Sequence, residues 1–359
     1  MRLLDRYVAV EFLAPFAVTA AGFMVLLLTS TIFQLADLVV VQRVAALSTV
    51  NLLLLKVPAA LSLAIPIATL FATLLATGRL MRDGELTVMR TAGLSLLRIG
   101  TPMLVLGGLI SAANYALNEY VLPAANYRYE VLVRRLMSQD PVPAIAQDVF
   151  FRGGPSHWFY VREVNRDQRL LKDVLVYELV PGSFPTLYTA RRGYYQGRTW
   201  VLEDVTMKRL DEQGYVAVEA AMRRWQVTLA EPTESLLGAQ KSPDAMSRRE
   251  LGEQIRRMRQ AGLAPGSLLV DYHVKLSLPL SCLVLVLLGL PLALQGGRGD
   301  RSFGVAASLG LTLLYYILFA LSRSLGNSGS LSPVAAAWLP NLTYLAAAGW
   351  LLHRAEWAG

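Results

Sequence analysis

The chain has 359 residues, 54% of them apolar, with a formal net charge of +8 and a single cysteine. So much apolar sequence in unbroken blocks excludes an ordinary soluble domain, and one cysteine excludes an internal disulfide framework. The positive charge does not point to nucleic acid, because in the apolar parts of the chain it gathers in the short connections on one side of the apolar blocks.

A bilayer crossing needs about 20 apolar residues. Candidate spans lie near 12–36, 51–77, 99–121, 267–293, 303–325 and 334–352, six in two sets of three. Residues 1–11 read as an interfacial lead-in, with Arg2, Asp5, Arg6 and Glu11 among Leu, Tyr and Val. The following apolar run is too long for a signal-peptide core and shows no small-x-small cleavage site. The first span ends near Asp37, beside a short connection that holds Gln42 and Arg43.

The second span contains Asn51, Lys56, Pro58 and Pro66. Each proline removes a backbone donor and kinks the helix, which a membrane bundle tolerates where neighbours satisfy the freed carbonyl. Lys56 is expected to snorkel at the outer interface. After this span, Gly78 to Gly93 reads as a short charged helix. Asp83 is its expected N-cap, Glu85 sits near the positive end of the helix dipole, and Leu86, Met89 and Gly93 share a face. Two readings stand at this point: a solvated connector, or a helix presented to a soluble partner that pushes on the membrane part.

The third span is rich in small residues, Gly107-Gly108 and Ala112-Ala113, which allow close helix approach in lipid. Residues 138–245 then change character. Trp158–Val161, Val174–Tyr177, Trp200–Leu202 and Tyr215–Val218 are short β-prone runs separated by turn-forming residues, as in an all-β sandwich or jelly roll. His157 has no second ligand at metal spacing and reads as structural. In the charged, helix-prone stretch 246–262, Ser247 is the expected N-cap.

The fourth span carries Pro279 and Cys282, with His273 and Lys275 near its outer start. The loop 295–302 lacks the ending of a phosphate-binding loop and reads as a basic turn. The fifth span holds Tyr315-Tyr316 and ends near Arg323; the sixth holds Trp338-Leu339-Pro340-Asn341. Short connections on one side carry Arg2, Arg6, Arg79, Arg82, Arg90, Arg98, Arg298, Arg301 and Arg354, those on the other little beyond Arg43. This bias places both termini, 79–98 and 294–302 in the cytoplasm, and the middle domain outside it. The residues show no zinc-spaced cluster, nucleophile elbow or P-loop, so an enzyme is not expected.

Several segments in order resemble the LptF/LptG (YjgP/YjgQ) family of lipopolysaccharide-export permeases. They are Gly78-Arg79-Leu80 with Glu85-Leu86 and Ala92-Gly93, Glu119 to Asn126, Ala190-Arg191-Arg192-Gly193 leading to Trp200-Val201-Leu202, Leu288-Gly289-Leu290-Pro291, and Trp338 to Asn341. The resemblance implies an α-helical membrane protein of six transmembrane helices with an inserted all-β, jellyroll-like periplasmic domain, seated in the inner membrane. Its expected parts are 1–125 (three spans, with a coupling helix at about 80–97), 138–245 (β domain), 246–266 (helical connector) and 267–359 (three spans). It further implies a second LptF/LptG-type permease, a cytosolic ABC ATPase dimer that uses the ATP and Mg, and periplasmic LptC/LptA-like bridge proteins. Lipopolysaccharide or a similar lipid is the cargo, with no cofactor in this chain and no nucleic acid.

The family's coupling helix falls on Arg82, Asp83, Glu85, Leu86, Met89, Arg90 and Gly93, with Glu85 as its acidic residue. Lipid contact is expected at Gln34, Arg43, Lys56, Tyr315 and Tyr316, with Arg43 and Lys56 holding head-group phosphates. The alternative is a mechanically coupled ABC-type permease, or a membrane anchor, that acts on periplasmic partners without moving lipid.

Overall fold

The computed structural model describes residues 3–42, 46–137, 145–152, 157–165, 168–178, 186–210, 215–229, 241–260, 264–294 and 301–357. The chain divides into two units. One comprises Met1–Leu132, Pro243–Arg259 and Leu263–Gly359; the other comprises Val133–Ser242 and Gln260–Gly262.

The first unit is helical. Its elements are α1 (Leu3–Gln42), α2 (Ala46–Arg82), α3 (Glu85–Thr91), α4 (Leu96–Ala116), a π-helical turn at Leu117–Val121, α5 (Leu122–Met137, whose residues from Val133 on fall in the second unit), α6 (Arg248–Gln260, up to Arg259), α7 (Gly266–Ala293), α8 (Arg301–Asn327) and α9 (Pro333–Trp357). Among the described residues, five stretches are long and apolar enough to cross a membrane: Leu3–Leu35, Leu47–Arg82, Leu96–Val133, Gly266–Ala293 and Gly304–Asn327. The expected sixth span falls on α9. It is helical throughout its 25 residues, but Trp338, Pro340, Asn341, Thr343 and Tyr344 dilute its apolar content, and it does not join that set.

The helices overrun the spans predicted from the sequence. The lead-in is the start of α1 itself, and α2 continues through Pro58 and Pro66 as far as Arg82. Gly78 to Arg82 therefore close a long helix instead of opening a short one. Pro66 cannot donate to the carbonyl of Ser62, and the side chain of Asn114 on α4 donates to that carbonyl at 3.3 Å. Asn118 adds a bond to the Ser62 hydroxyl at 2.7 Å. Deeper in the bundle, Ser111 donates to the Pro279 carbonyl at 2.8 Å, and Asn341 joins Tyr315 to the Ser277 carbonyl. Close approach of α4 and α7 depends on Gly107, where a Cβ would meet Val286 at 2.9 Å.

The second unit holds one antiparallel sheet: β1 (Ile145–Arg152), β2 (His157–Asn165), β3 (Leu170–Glu178), β4 (Thr186–Gln196), β5 (Thr199–Leu210) and β6 (Val216–Thr228), paired in chain order. Among the described strands only consecutive ones pair, so the sheet is a meander. One buried face carries Phe159, Val161, Val164, Leu171, Val174, Val176, Trp200, Leu202 and Val205.

Simple alternation breaks along one line of this sheet. The pairing skips Arg162, Asp173, Arg191, Asp204 and Arg223 and resumes in unchanged register. Asp173 and Asp204 have φ of 50° and 53°. In β2 to β5 two polar residues stand between two buried ones: Arg162-Glu163 between Val161 and Val164, Lys172-Asp173 between Leu171 and Val174, Arg191-Arg192 between Ala190 and Gly193, and Glu203-Asp204 between Leu202 and Val205. The interruption resets the phase, so apolar residues on both sides of it face one core while the charges line the outside. Lys172–Glu163 at 2.7 Å and Arg162–Asp173 at 3.6 Å are ion pairs on that line.

Candidate functional site

Two places in the helical unit bring sequence-predicted residues together. The first is the end of the bundle where the chain both begins and finishes. There α2 stops because Asp83 and Gly84 turn the backbone: Gly84 takes φ 74°, a left-handed conformation that glycine adopts freely. Gly84 therefore occupies the N-cap position of α3, with no side-chain cap bond. This corrects the expected capping role of Asp83, whose carboxylate lies 3.5 Å from Arg79 one turn back in α2. The expected coupling helix at about 80–97 is correspondingly three pieces: the last turn of α2, the seven-residue α3, and the start of α4.

Gly93 ends α3. With φ 88°, its N–H bonds to the Arg90 carbonyl at 2.9 Å and the next N–H, of Leu94, to Met89 at 3.1 Å. This is the double bond pattern of a Schellman stop, so Gly93 serves as the helix terminator. Ser95 then caps α4 by accepting from Arg98 N–H at 3.2 Å.

The side chains of α3 divide sharply. Leu86 is buried among Val8, Phe12, Leu80 and Leu96, and Met89 packs against the same cluster. Glu85 accepts a hydrogen bond from the Tyr7 hydroxyl at 3.0 Å, and Arg90 donates to the Ala355 carbonyl at 3.0 Å. Arg82, Asp83, Thr87, Val88, Thr91 and Ala92 are exposed. At 67% exposure, Val88 is the apolar residue of α3 that solvent meets. Two further pairs bind the flanks of α3 to α1, Arg79 with Glu11 and Arg98 with Asp5, the latter at 2.8 Å. The sequence reading missed Asp5, Tyr7 and Glu11 as partners of this segment. The available signal was the four-residue spacing of Val8 and Phe12, which marks the start of α1 as a packed face.

The second place is a cavity of about 410 Å³ at the opposite ends of these helices, lined among others by Lys56, Asn118, Tyr129, Asp271, Lys275 and Arg323. Lys56 sits 4.0 Å over the ring of Tyr129, a cation–π contact. Arg323 pairs with Asp271 at 2.7 Å. Tyr316 does not line the cavity but donates to the carbonyl of Leu63, which does, at 2.9 Å. Tyr315 lies deep in the bundle, 1% exposed, its hydroxyl donating to Asn341 at 2.9 Å. Gln34 is exposed on α1, and Arg43 lies outside the described residues.

Near this end, the π-helical turn displaces Glu119 so that its carboxylate accepts from the N–H groups of Arg248 and Arg249 at 2.8 and 3.3 Å, capping α6. Ser247 and Glu250 complete a reciprocal capping box at 2.8 and 3.1 Å, in keeping with the N-cap expected at Ser247. Among the described residues no group of three or more His, Cys, Asp or Glu side chains could hold a metal.

Residues 6–354 match the family model described as lipopolysaccharide export system permease LptF/LptG. The chain is 22% identical over 310 residues to lipopolysaccharide export system permease protein LptF of Escherichia coli K12, covering 83% of this chain and 80% of that protein. It is 22% identical over 307 residues to the LptG permease protein of Haemophilus influenzae, and 23% over 312 residues to that of Escherichia coli K12, each covering 84% of both chains.

Proposed function

We propose, because this chain belongs to the LptF/LptG family of lipopolysaccharide export system permeases, that it is one permease half of an ATP-driven exporter that lifts lipopolysaccharide out of the inner membrane. The match over residues 6–354 carries this reading, since it takes in both helical sets and the inserted β unit. In it α9 is the sixth span, the end with α3 and both termini faces the cytoplasm, and the β unit stands in the periplasm. ATP and Mg belong to a separate ATPase dimer docked on the α2–α4 connection, where Arg82, Asp83, Glu85, Leu86, Met89, Arg90 and Gly93 form the coupling element. Leu86 and Met89 pack it onto the bundle and Gly93 ends it; Arg82, Asp83 and Val88 face outward.

The second subunit is another LptF/LptG-type permease. The exposed apolar residues Val18, Val25 and Phe33 of α1, and Leu309, Leu313 and Ile317 of α8, suit a surface shared with lipid and that partner. Gln34, Arg43, Lys56, Tyr315 and Tyr316 are the proposed lipid set, with Lys56, which lines the cavity, proposed to meet a phosphate. The β unit hands the lipid to jellyroll bridge proteins, which would add a strand at β1 or β6, the outer strands among those described.

The test is purification of the full chain from its native membrane, followed by reconstitution in vesicles holding lipopolysaccharide. A second permease and an ATPase should co-purify, and ATP should drive release of lipid to an acceptor. Absence of ATP-dependent release from a complex that hydrolyses ATP would sink the lipid-moving reading in favour of mechanical action on periplasmic partners.

A further inference from the structure

The first three turns of α1 carry Asp5, Tyr7, Val8, Glu11 and Phe12. On a helix turning about 100° per residue, Val8 and Phe12 lie side by side, with Tyr7 and Glu11 on one flank and Asp5 on the other. Each of the five is engaged. Val8 and Phe12 are fully buried beside Leu80, Leu86 and Leu96. Tyr7 donates to Glu85 of α3, Glu11 pairs with Arg79 at the end of α2, and Asp5 pairs with Arg98 at the start of α4. All three pieces of the connection are therefore bonded to one helix, on both flanks of an apolar seat. Further along, α1 exposes Val18, Val25, Leu26 and Phe33 on one side while Ala20 and Leu35 are buried on another.

We infer that Asp5, Tyr7 and Glu11 are positioning residues that lock α1 to the α2–α4 connection, so that displacement of α3 is delivered to α1 as a rigid movement. A greasy seat alone would let one helix roll or slide on the other. Bonds on both flanks oppose rolling in either direction, and part burial of Asp5 and Glu11, 20% and 14% exposed, limits their screening by water. What displaces α3 rests on the function proposed above; the attachment itself does not.

The experiment uses the full chain in its reconstituted complex, with lipopolysaccharide in the vesicles as probe. Asp5→Arg and Arg98→Asp should each lower lipid released per ATP hydrolysed by about tenfold, the scale of one lost charge-assisted bond, while ATP hydrolysis continues. The double variant Asp5→Arg/Arg98→Asp should recover most of the loss. An unchanged ratio in the single variants, or no recovery in the double, overturns the inference.

Tyr7→Phe keeps the ring and its packing while removing the bond to Glu85, which guards against variants that do not fold. In it, hydrogen exchange over residues 3–12 and 85–91 of the full chain in lipid discs should speed up together; unchanged exchange overturns the inference. If the wild-type complex moves no lipid, the proposed function fails, and the exchange measurement still decides the attachment.

Discussion

Asp204 shows how much a single residue can be asked to do. It holds φ 53° in the middle of β5, where side chains with a Cβ lose about 1–2 kcal/mol and only Gly, Asn and Asp are at ease. Asp173 does the same in β3 at φ 50°. Replacing Asp204 by Val should destabilise the protein by about 1–2 kcal/mol, because a β-branched side chain cannot take this backbone. Asp204→Gly should be neutral or stabilising by up to about 1 kcal/mol. Thermal unfolding of the two full-length variants checks this, and equal destabilisation by both would point to the charge of Asp204 instead of its backbone. Neither aspartate stood out in the sequence. Charged pairs within a strand look like ordinary solvent-facing residues, and nothing local reveals that the same interruption recurs at one level in each neighbour. The same blindness produced the capping role expected of Asp83. Its side chain suits a cap, but the left-handed turn at Gly84 moves the N-cap one residue on, and Asp83 turns back to Arg79.

At the scale of elements, the two prolines inside the second helix were legible and the repair of its backbone was not. Pro58 and Pro66 announce freed carbonyls, whereas the donor comes from Asn114, more than 40 residues away on α4. A long-range side-chain bond leaves no periodic trace. Asn114→Leu should cost about 1–3 kcal/mol, the penalty of an unpaired buried carbonyl together with the loss of a bond from Asn118. Pro66→Ala supplies a backbone N–H to Ser62 within the helix, so Asn114→Leu should cost less in that background by about 1 kcal/mol. Additive costs in this double-mutant cycle would show that Asn114 does not act through the Ser62 carbonyl. The start of α6 was the opposite case. Ser247 and Glu250 sit three apart, the capping box is wholly local, and it was readable in advance. The second cap on the same helix, from Glu119 in the π-helical turn, is non-local and was not.

For the molecule as a whole, composition was sufficient to separate a helical unit from a β unit, because apolar blocks and short alternating runs differ over tens of residues. The order of strands in the sheet was beyond it: alternation establishes which residues face a core, and it is silent on which strand lies beside which. The sidedness proposed above for the two units rests on where arginine is spent. Arg79, Arg82, Arg90 and Arg98 crowd the end that holds α3, a bias that retains short connections in the cytoplasm, while a long inserted domain translocates regardless of its own charge. Val88 and Tyr215 are both strongly exposed, at 67% and 73%, one in α3 and one beside β6, and each can carry a single cysteine once Cys282 is replaced by Ala. In sealed spheroplasts a membrane-impermeant maleimide should label Tyr215→Cys and leave Val88→Cys untouched; in inverted vesicles the pattern should reverse. Labelling of both from one face would place α3 and the sheet on the same side of the bilayer. A push on α3 could not then come from a cytosolic ATPase while the sheet receives lipid outside, and the exporter reading would fall with its mechanism.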